Sequence, residues 1–207
     1  MEVISLTEGV EICALRAAGV LRQGGVVVYP TDTLYGIGVD ATSDAAVDRL
    51  YALKGREPGK PTHCIVADIV MAREYAEIEE NAALLVEKFL PGALTLILKK
   101  NPEFTMGIGR DMETIGMRIP NNEFCLALAR AFGKPVTTPS ANKAGVAPTT
   151  VPANIIEQLG EAEIDLFIDA GTLPPSLPST IVNVVSGHAS IIREGAIPSA
   201  DILAIAG

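Results

Sequence analysis

Apolar residues recur at Val10, Cys13, Ala14, Ala17, Ala18 and Leu21, the i, i+3, i+4, i+7 spacing of one helix face, and Gly24-Gly25 closes the run. The β-branched triplet Val26-Val27-Val28 follows at once and predicts a buried strand. Val47, Leu50 and Tyr51 mark a second helix, with Thr42 or Ser43 placed to cap it, Lys54 at its end and Gly55 just beyond. Residues 63–67 read as a strand and Asp68 as the cap of a short helix. Ala82, Leu85, Val86 and Phe89 mark another helix, stopped by Pro91-Gly92. Strands at 94–98 and 115–119 flank a glycine-containing stretch, 104–113, that reads as a flexible loop. Asn121-Asn122 caps a helix carrying Phe124, Leu128 and Ala131, and Gly133 stops it. Beyond it the pattern predicts a strand at 136–138, a helix at 152–159 and strands at 164–168, 181–185 and 189–193. Ser186-Gly187 turns the chain between the last two strands, and a short helix ends it. Strands interleaved with helices predict an α/β fold, a mixed sheet wrapped by helices, in one domain without repeats or linkers.

Two strand ends share a logic. In residues 26–38, VVVYPTDTLYGIG, Pro30 interrupts the strand, Thr31, Asp32, Thr33 and Tyr35 follow, and Gly36-x-Gly38 releases the chain. Val136-Thr137-Thr138 is likewise broken by Pro139 and opens into Ser140-Ala141-Asn142. Crevices beyond strand ends hold ligands in open α/β sheets, although a polar turn after a core strand looks the same locally. Residues 54–61, KGREPGKP, place three cations on a proline- and glycine-rich loop. Such a loop is either a solvated connection or a polyphosphate grip. Arg118 sits inside an apolar strand and needs a partner or a cavity. The proline-rich stretch 172–178 delivers Ser179-Thr180 to the start of the next strand.

Composition narrows the choices. Apolar residues make up 48% of the 207, charged residues 20% and aromatics 4%, so the core is built from Val, Ile, Leu and Ala. A net charge of −9 disfavours a broad nucleic-acid footprint but leaves room for a small basic pocket. Cys13, Cys64 and Cys125 fit neither a disulfide framework nor zinc spacing, and read as buried thiols in a reducing compartment. His63 and His188 are too few for a histidine metal site or a Ser-His-acid set. With neither a signal peptide nor a membrane-length apolar run, the expectation is a soluble, cytoplasmic protein. Walker, GxGxxG and HExxH motifs are absent from the sequence. What remains is a hydroxyl-lined, cation-studded cavity for an anionic ligand. Its candidates are Thr31, Lys54, Arg56, Arg118, Thr138, Ser140, Asn142, Ser179 and Arg193.

The ordered set PTDTLYGIG, KGR, PGALTLIL, MRIP, PSAN, PSTIV and IIREG, over about residues 20–198, resembles the YrdC-like family of threonylcarbamoyl-adenylate synthases. The resemblance implies a twisted, open α/β mixed sheet with a deep concave ligand cavity. It implies one domain over residues 1–207, with its core at about 10–198, lacking the additional C-terminal domain of longer relatives. The implied reaction converts L-threonine, bicarbonate and ATP into threonylcarbamoyl-AMP and pyrophosphate, and downstream transfer proteins pass the product to a tRNA adenosine. By motif, Thr31, Arg118, Thr138 and Ser179 match threonine-binding positions. Lys54, Thr114, Ser140 and Arg193 match ATP-binding positions, with Arg56 and Asn142 close to them. Lys54, Arg56 and Ser140 would position the nucleotide, no nucleophile or general base is assigned, and Mg2+ would arrive with ATP rather than in a protein cage.

Three positions depart from the family pattern. The sequence around His63 shifts that residue out of its usual role, and Pro178 and Glu194 replace other residues beside Ser179 and Arg193. Two other functions compete with the synthase: a module with weak tRNA or double-stranded RNA contact, and a carbamoyl-adenylate enzyme like those of hydrogenase maturation. The acidic charge argues against the first, and the lack of zinc-finger and acylphosphatase segments against the second.

Overall fold

A computed structural model of the chain describes residues 1–57, 59–185 and 187–207. Pro58 of the basic loop and Ser186 of the expected turn lie outside the described residues. The strands in chain order are β1 (Glu2–Ser5), β2 (Val27–Pro30), β3 (Tyr35–Gly38), β4 (His63–Ile65) and β5 (Leu94–Lys99). They continue with β6 (Thr114–Arg118), β7 (Val136–Thr137), β8 (Leu166–Asp169), β9 (Thr180–Asn183) and β10 (Ser190–Arg193). The helices are α1 (Val10–Arg22), α2 (Asp44–Lys54), α3 (Ile69–Tyr75), α4 (Glu80–Phe89), α5 (Glu123–Phe132), α6 (Pro152–Leu159) and α7 (Ser199–Ala206).

Helix boundaries follow local chemistry. The side chains of Ser43, Asp68 and Asn122 accept from the backbone N–H groups of Ala46, Met71 and Cys125, capping α2, α3 and α5. Gly55 (φ 61°) and Gly133 (φ 77°) close α2 and α5 in the left-handed region. Glu194, one of the departures from the family pattern, accepts from the N–H of Ser199 at 3.0 Å and so caps α7.

The mixed α/β architecture holds, and its strands form two sheets. One runs β1-β8-β2-β3 and the other β10-β9-β5-β6-β4-β7. Isolated bridges at Gly36–Ser140 and Asp40–Val136 bring them together. Within the first sheet, β2 is buried on both faces. Val27 and Tyr29 pack with α1 and α5, whereas Val26 and Val28 pack into the larger core shared with the second sheet. That two-sided burial explains why the strand reads as an unbroken apolar run. The three cysteines are buried free thiols.

Three local readings change. Residues 35–38 do not release the chain but return as β3, antiparallel to β2 with Pro30 opposite Tyr35. The reason is the Thr31 hydroxyl, which accepts from the N–H groups of Thr33 (3.0 Å) and Leu34 (3.2 Å) and closes a tight turn. The stretch 104–113 is pinned rather than flexible. It contains a 3-10 turn, Gly107–Gly109, tied by Gly107 N–H to Asp44 Oδ1 (2.6 Å) and by Ile108 N–H to Ala41 O (2.9 Å). Finally, residues left unassigned at the N-terminus form β1, parallel to β8.

Candidate ligand-binding cavity

Elements distant in sequence converge on a cavity of about 310 Å³. The β2–β3 turn supplies Thr31 and Thr33, the end of β6 supplies Arg118 and the start of β4 supplies His63. The segment after β7 supplies Thr138 and Ser140, the residue before β9 is Ser179, and the end of the edge strand β10 supplies Arg193. Tyr35, Gly36, Leu34, Pro148 and Pro178 complete the wall. Among the described residues no carboxylate lines this cavity, although the whole chain carries −9. Its local field therefore favours an anion.

Arg118 has both a partner and a cavity. Its Nε–H donates to Gly92 O (2.9 Å), one Nη donates to Thr33 Oγ1 (3.0 Å) and the other to Asp32 Oδ1 (2.6 Å). The guanidinium is thus an ion-paired group with one edge against the cavity, not a bare cation. Thr31 also lines the wall, but its hydroxyl donates to Leu34 O (2.7 Å) besides its two turn bonds, so the turn occupies it. Ser179 is buried, with Oγ 2.9 Å from Thr95 Oγ1, and its carbonyl accepts from Arg193 at 2.8 Å. Burial, and secondarily Arg118, lowers the Arg193 pKa.

His63 belongs to this cavity, contrary to the expectation that it is shifted away. The parallel pairing of β4 with β6 sets His63 opposite Gly116. A Cβ on Gly116 would lie 2.8 Å from His63 Cβ, so only glycine admits the ring-bearing strand at this spacing. Burial, reinforced by Arg118, Arg193, Arg56 and Lys54, pushes the imidazole pKa down to about 3. The ring is therefore neutral near pH 7, one nitrogen donating and the other accepting. Gly36 serves a similar purpose, since a Cβ there would lie 2.8 Å from Thr138 Oγ1.

The remaining expected residues lie off the lining. Lys54 is buried behind it, its ammonium donating to Ser140 O (2.5 Å) and Asn142 O (2.7 Å). Burial, then the neighbouring Arg56, lowers its pKa to about 8. Asn142 donates through Nδ2 to Lys143 O (2.9 Å) and Val146 O (2.7 Å), which shapes the loop after Ser140. Arg56 donates to Pro61 O (2.7 Å) across the basic loop. Thr114 shares the Arg118 face of β6, four residues and so about 13 Å along the strand. Sequence reasoning passed over Thr33 and Asp32 as site residues, although both stand in the motif that contains Thr31. Pro178 lines the cavity, so its departure from the family pattern alters the wall itself.

The chain as a whole is similar to known proteins. Residues 19–195 match the model of the family of Sua5, YciO and YrdC proteins, described as telomere recombination. A threonylcarbamoyl-AMP synthase of Pyrococcus abyssi is 31% identical over 99% of this chain and 61% of its own length. A putative threonylcarbamoyl-AMP synthase of Methanocaldococcus jannaschii is 40% identical over 86% of this chain and 83% of its own. The crystal structure of P. abyssi Sua5 complexed with L-threonine superposes with a TM-score of 0.88 at 30% identity, covering 100% of this chain and 60% of that one. The chain thus spans less than two thirds of the Pyrococcus proteins it matches.

Proposed function

The chain belongs to the Sua5, YciO and YrdC family, and from that membership we propose that it makes threonylcarbamoyl-AMP and pyrophosphate from L-threonine, bicarbonate and ATP. The observation that carries the reading is a cavity whose described lining holds two arginines, a neutral histidine and several hydroxyls but no carboxylate, of a size suited to a small amino acid. L-Threonine would rest against Arg118, Thr138 and Ser179, with the wall at Thr31 and the imidazole of His63 beside it. ATP would extend from Ser140 and Arg193 toward Arg56 and along the β6 face to Thr114. Lys54 and Asn142 would act by holding the Ser140 segment from behind.

The chemistry needs placement more than a covalent catalyst. The threonine amine adds to CO2 derived from bicarbonate, losing a proton and forming a carbamate. A carbamate oxygen then attacks the α-phosphorus in line, and pyrophosphate leaves. Arginine N–H groups and hydroxyl donors stabilise the charge that develops on the phosphoryl oxygens. Mg2+ would ride on the ATP phosphates, because the described lining offers it no carboxylate. The product would be consumed by transfer proteins that modify tRNA adenosine, with residues 1–207 acting as one domain in the cytoplasm. Among the described residues no helix is long and apolar enough to cross a membrane.

The test is pyrophosphate release from ATP and bicarbonate with L-threonine, L-serine, L-valine or no amino acid. Threonine should be best, serine several-fold to about tenfold slower for its missing methyl, and valine poorest for its missing hydroxyl. Release that ignores the amino acid would sink the proposal.

A further inference from the structure

We propose that Asp32 is a positioning residue that sets the Arg118 guanidinium as a fixed two-donor edge for the carboxylate of the amino-acid substrate. This rests on the functional reading above and extends it to a residue outside the cavity lining. The side chain of Asp32 is 15% exposed against 4% for Arg118, and Asp32 is not among the residues that line the cavity. Its two oxygens join two segments: Oδ1 accepts from Arg118 at 2.6 Å, and Oδ2 accepts from the N–H of Asn121 at 3.0 Å, just before the cap of α5. The carboxylate is therefore itself immobilised.

A guanidinium carries five N–H donors in one plane. Gly92 O, Thr33 Oγ1 and Asp32 Oδ1 take one each, from each of the three nitrogens, which removes rotation about the long side chain. Two donors remain. A carboxylate recognised by two parallel N–H groups needs such a fixed plane, and a lysine ammonium could not supply it. The two open N–H groups belong to different Nη atoms, and Arg118, unlike Asp32, lines the cavity, so the ligand would meet the arginine and not its counter-ion. Asp32 would touch no reacting atom, and its effect would run wholly through Arg118.

The experiment measures steady-state pyrophosphate release and the 15N-detected Nε–H signals of arginine in the full chain, with Arg118→Lys identifying the Arg118 signal. Asp32→Ala should raise the KM for L-threonine tenfold or more, leave the KM for ATP within twofold, and speed exchange of the Arg118 Nε–H. Asp32→Asn keeps the shape and one acceptor but cannot accept from both Arg118 and Asn121. It should raise the threonine KM several-fold, and it carries the test if the alanine variant does not fold. A fall in kcat with both KM values unchanged, or an equal rise in both, would assign Asp32 a merely structural role and overturn the proposal. An Arg118 signal indifferent to Asp32 would overturn it as well. Wild-type protein that ignores L-threonine refutes the functional reading instead. In that case slow Nε–H exchange in wild type and fast exchange in Asp32→Asn still supports the positioning of Arg118, and equal exchange refutes it.

Discussion

The ammonium of Lys54 lies 2.5 Å from the main-chain oxygen of Ser140, and this bond ties the end of α2 to a cavity wall. Neighbouring bonds repeat the tie. Ala144 N–H donates to Lys54 O at 2.8 Å, and Lys143 Nζ donates to Leu53 O at 2.7 Å. The cation that the sequence offers as a phosphate grip is thus also a strut beneath the Ser140 segment.

Replacing Lys54 by Met keeps the apolar stem and removes the ammonium, leaving two inward-facing carbonyls without their donor. The expected loss is about 3 kcal/mol, the scale for charge-assisted bonds whose partners stay buried. Urea unfolding reads it directly, and an unchanged midpoint would contradict the strut. Calorimetric titration with ATP then shows whether nucleotide affinity falls along with stability.

The depressed pKa of His63 makes stability depend on acid. Its ordinary value is 6.5 and its folded value is about 3, so between these the unfolded chain takes up a proton that the folded chain refuses. Stability is therefore lost as pH falls from 6.5 toward 3 and is intact above that window. His63→Gln cannot take up that proton. The stability of wild type relative to the variant should shrink by about 2 kcal/mol between pH 7 and pH 4, given about 1.4 kcal/mol per pKa unit and a ring that water partly reaches. A difference that stays constant across denaturation curves at those pH values would rule this out.

Gly116→Ala tests the close approach of β4 to β6. The added methyl would meet His63 Cβ at 2.8 Å and Ile97 Cδ1 at 3.3 Å. The first of these atoms is fixed to the backbone, so the strands must part. A cost of about 1–3 kcal/mol is expected, together with displacement of the imidazole from the cavity. Thermal unfolding at the wild-type midpoint would show that the sheet absorbs the methyl without strain.

Helices and their caps were legible in the sequence because their causes are local. Ser43, Asp68 and Asn122 each satisfy a backbone donor three residues on, whatever the rest of the chain does. The polar residues after the broken strands were legible for a similar reason, and Thr31, Arg118, Thr138, Ser140, Ser179 and Arg193 do line one cavity. The tertiary structure decided the rest. Whether residues 35–38 leave or pair depends on how the Thr31 hydroxyl folds the turn, and whether His63 lines the cavity depends on the register of β4 against Gly116. Lys54 and Asp32 become supports only through bonds to residues more than eighty positions away. Residue type and local spacing carry propensity, whereas such partnerships come from strand register and packing, which no short window of sequence contains.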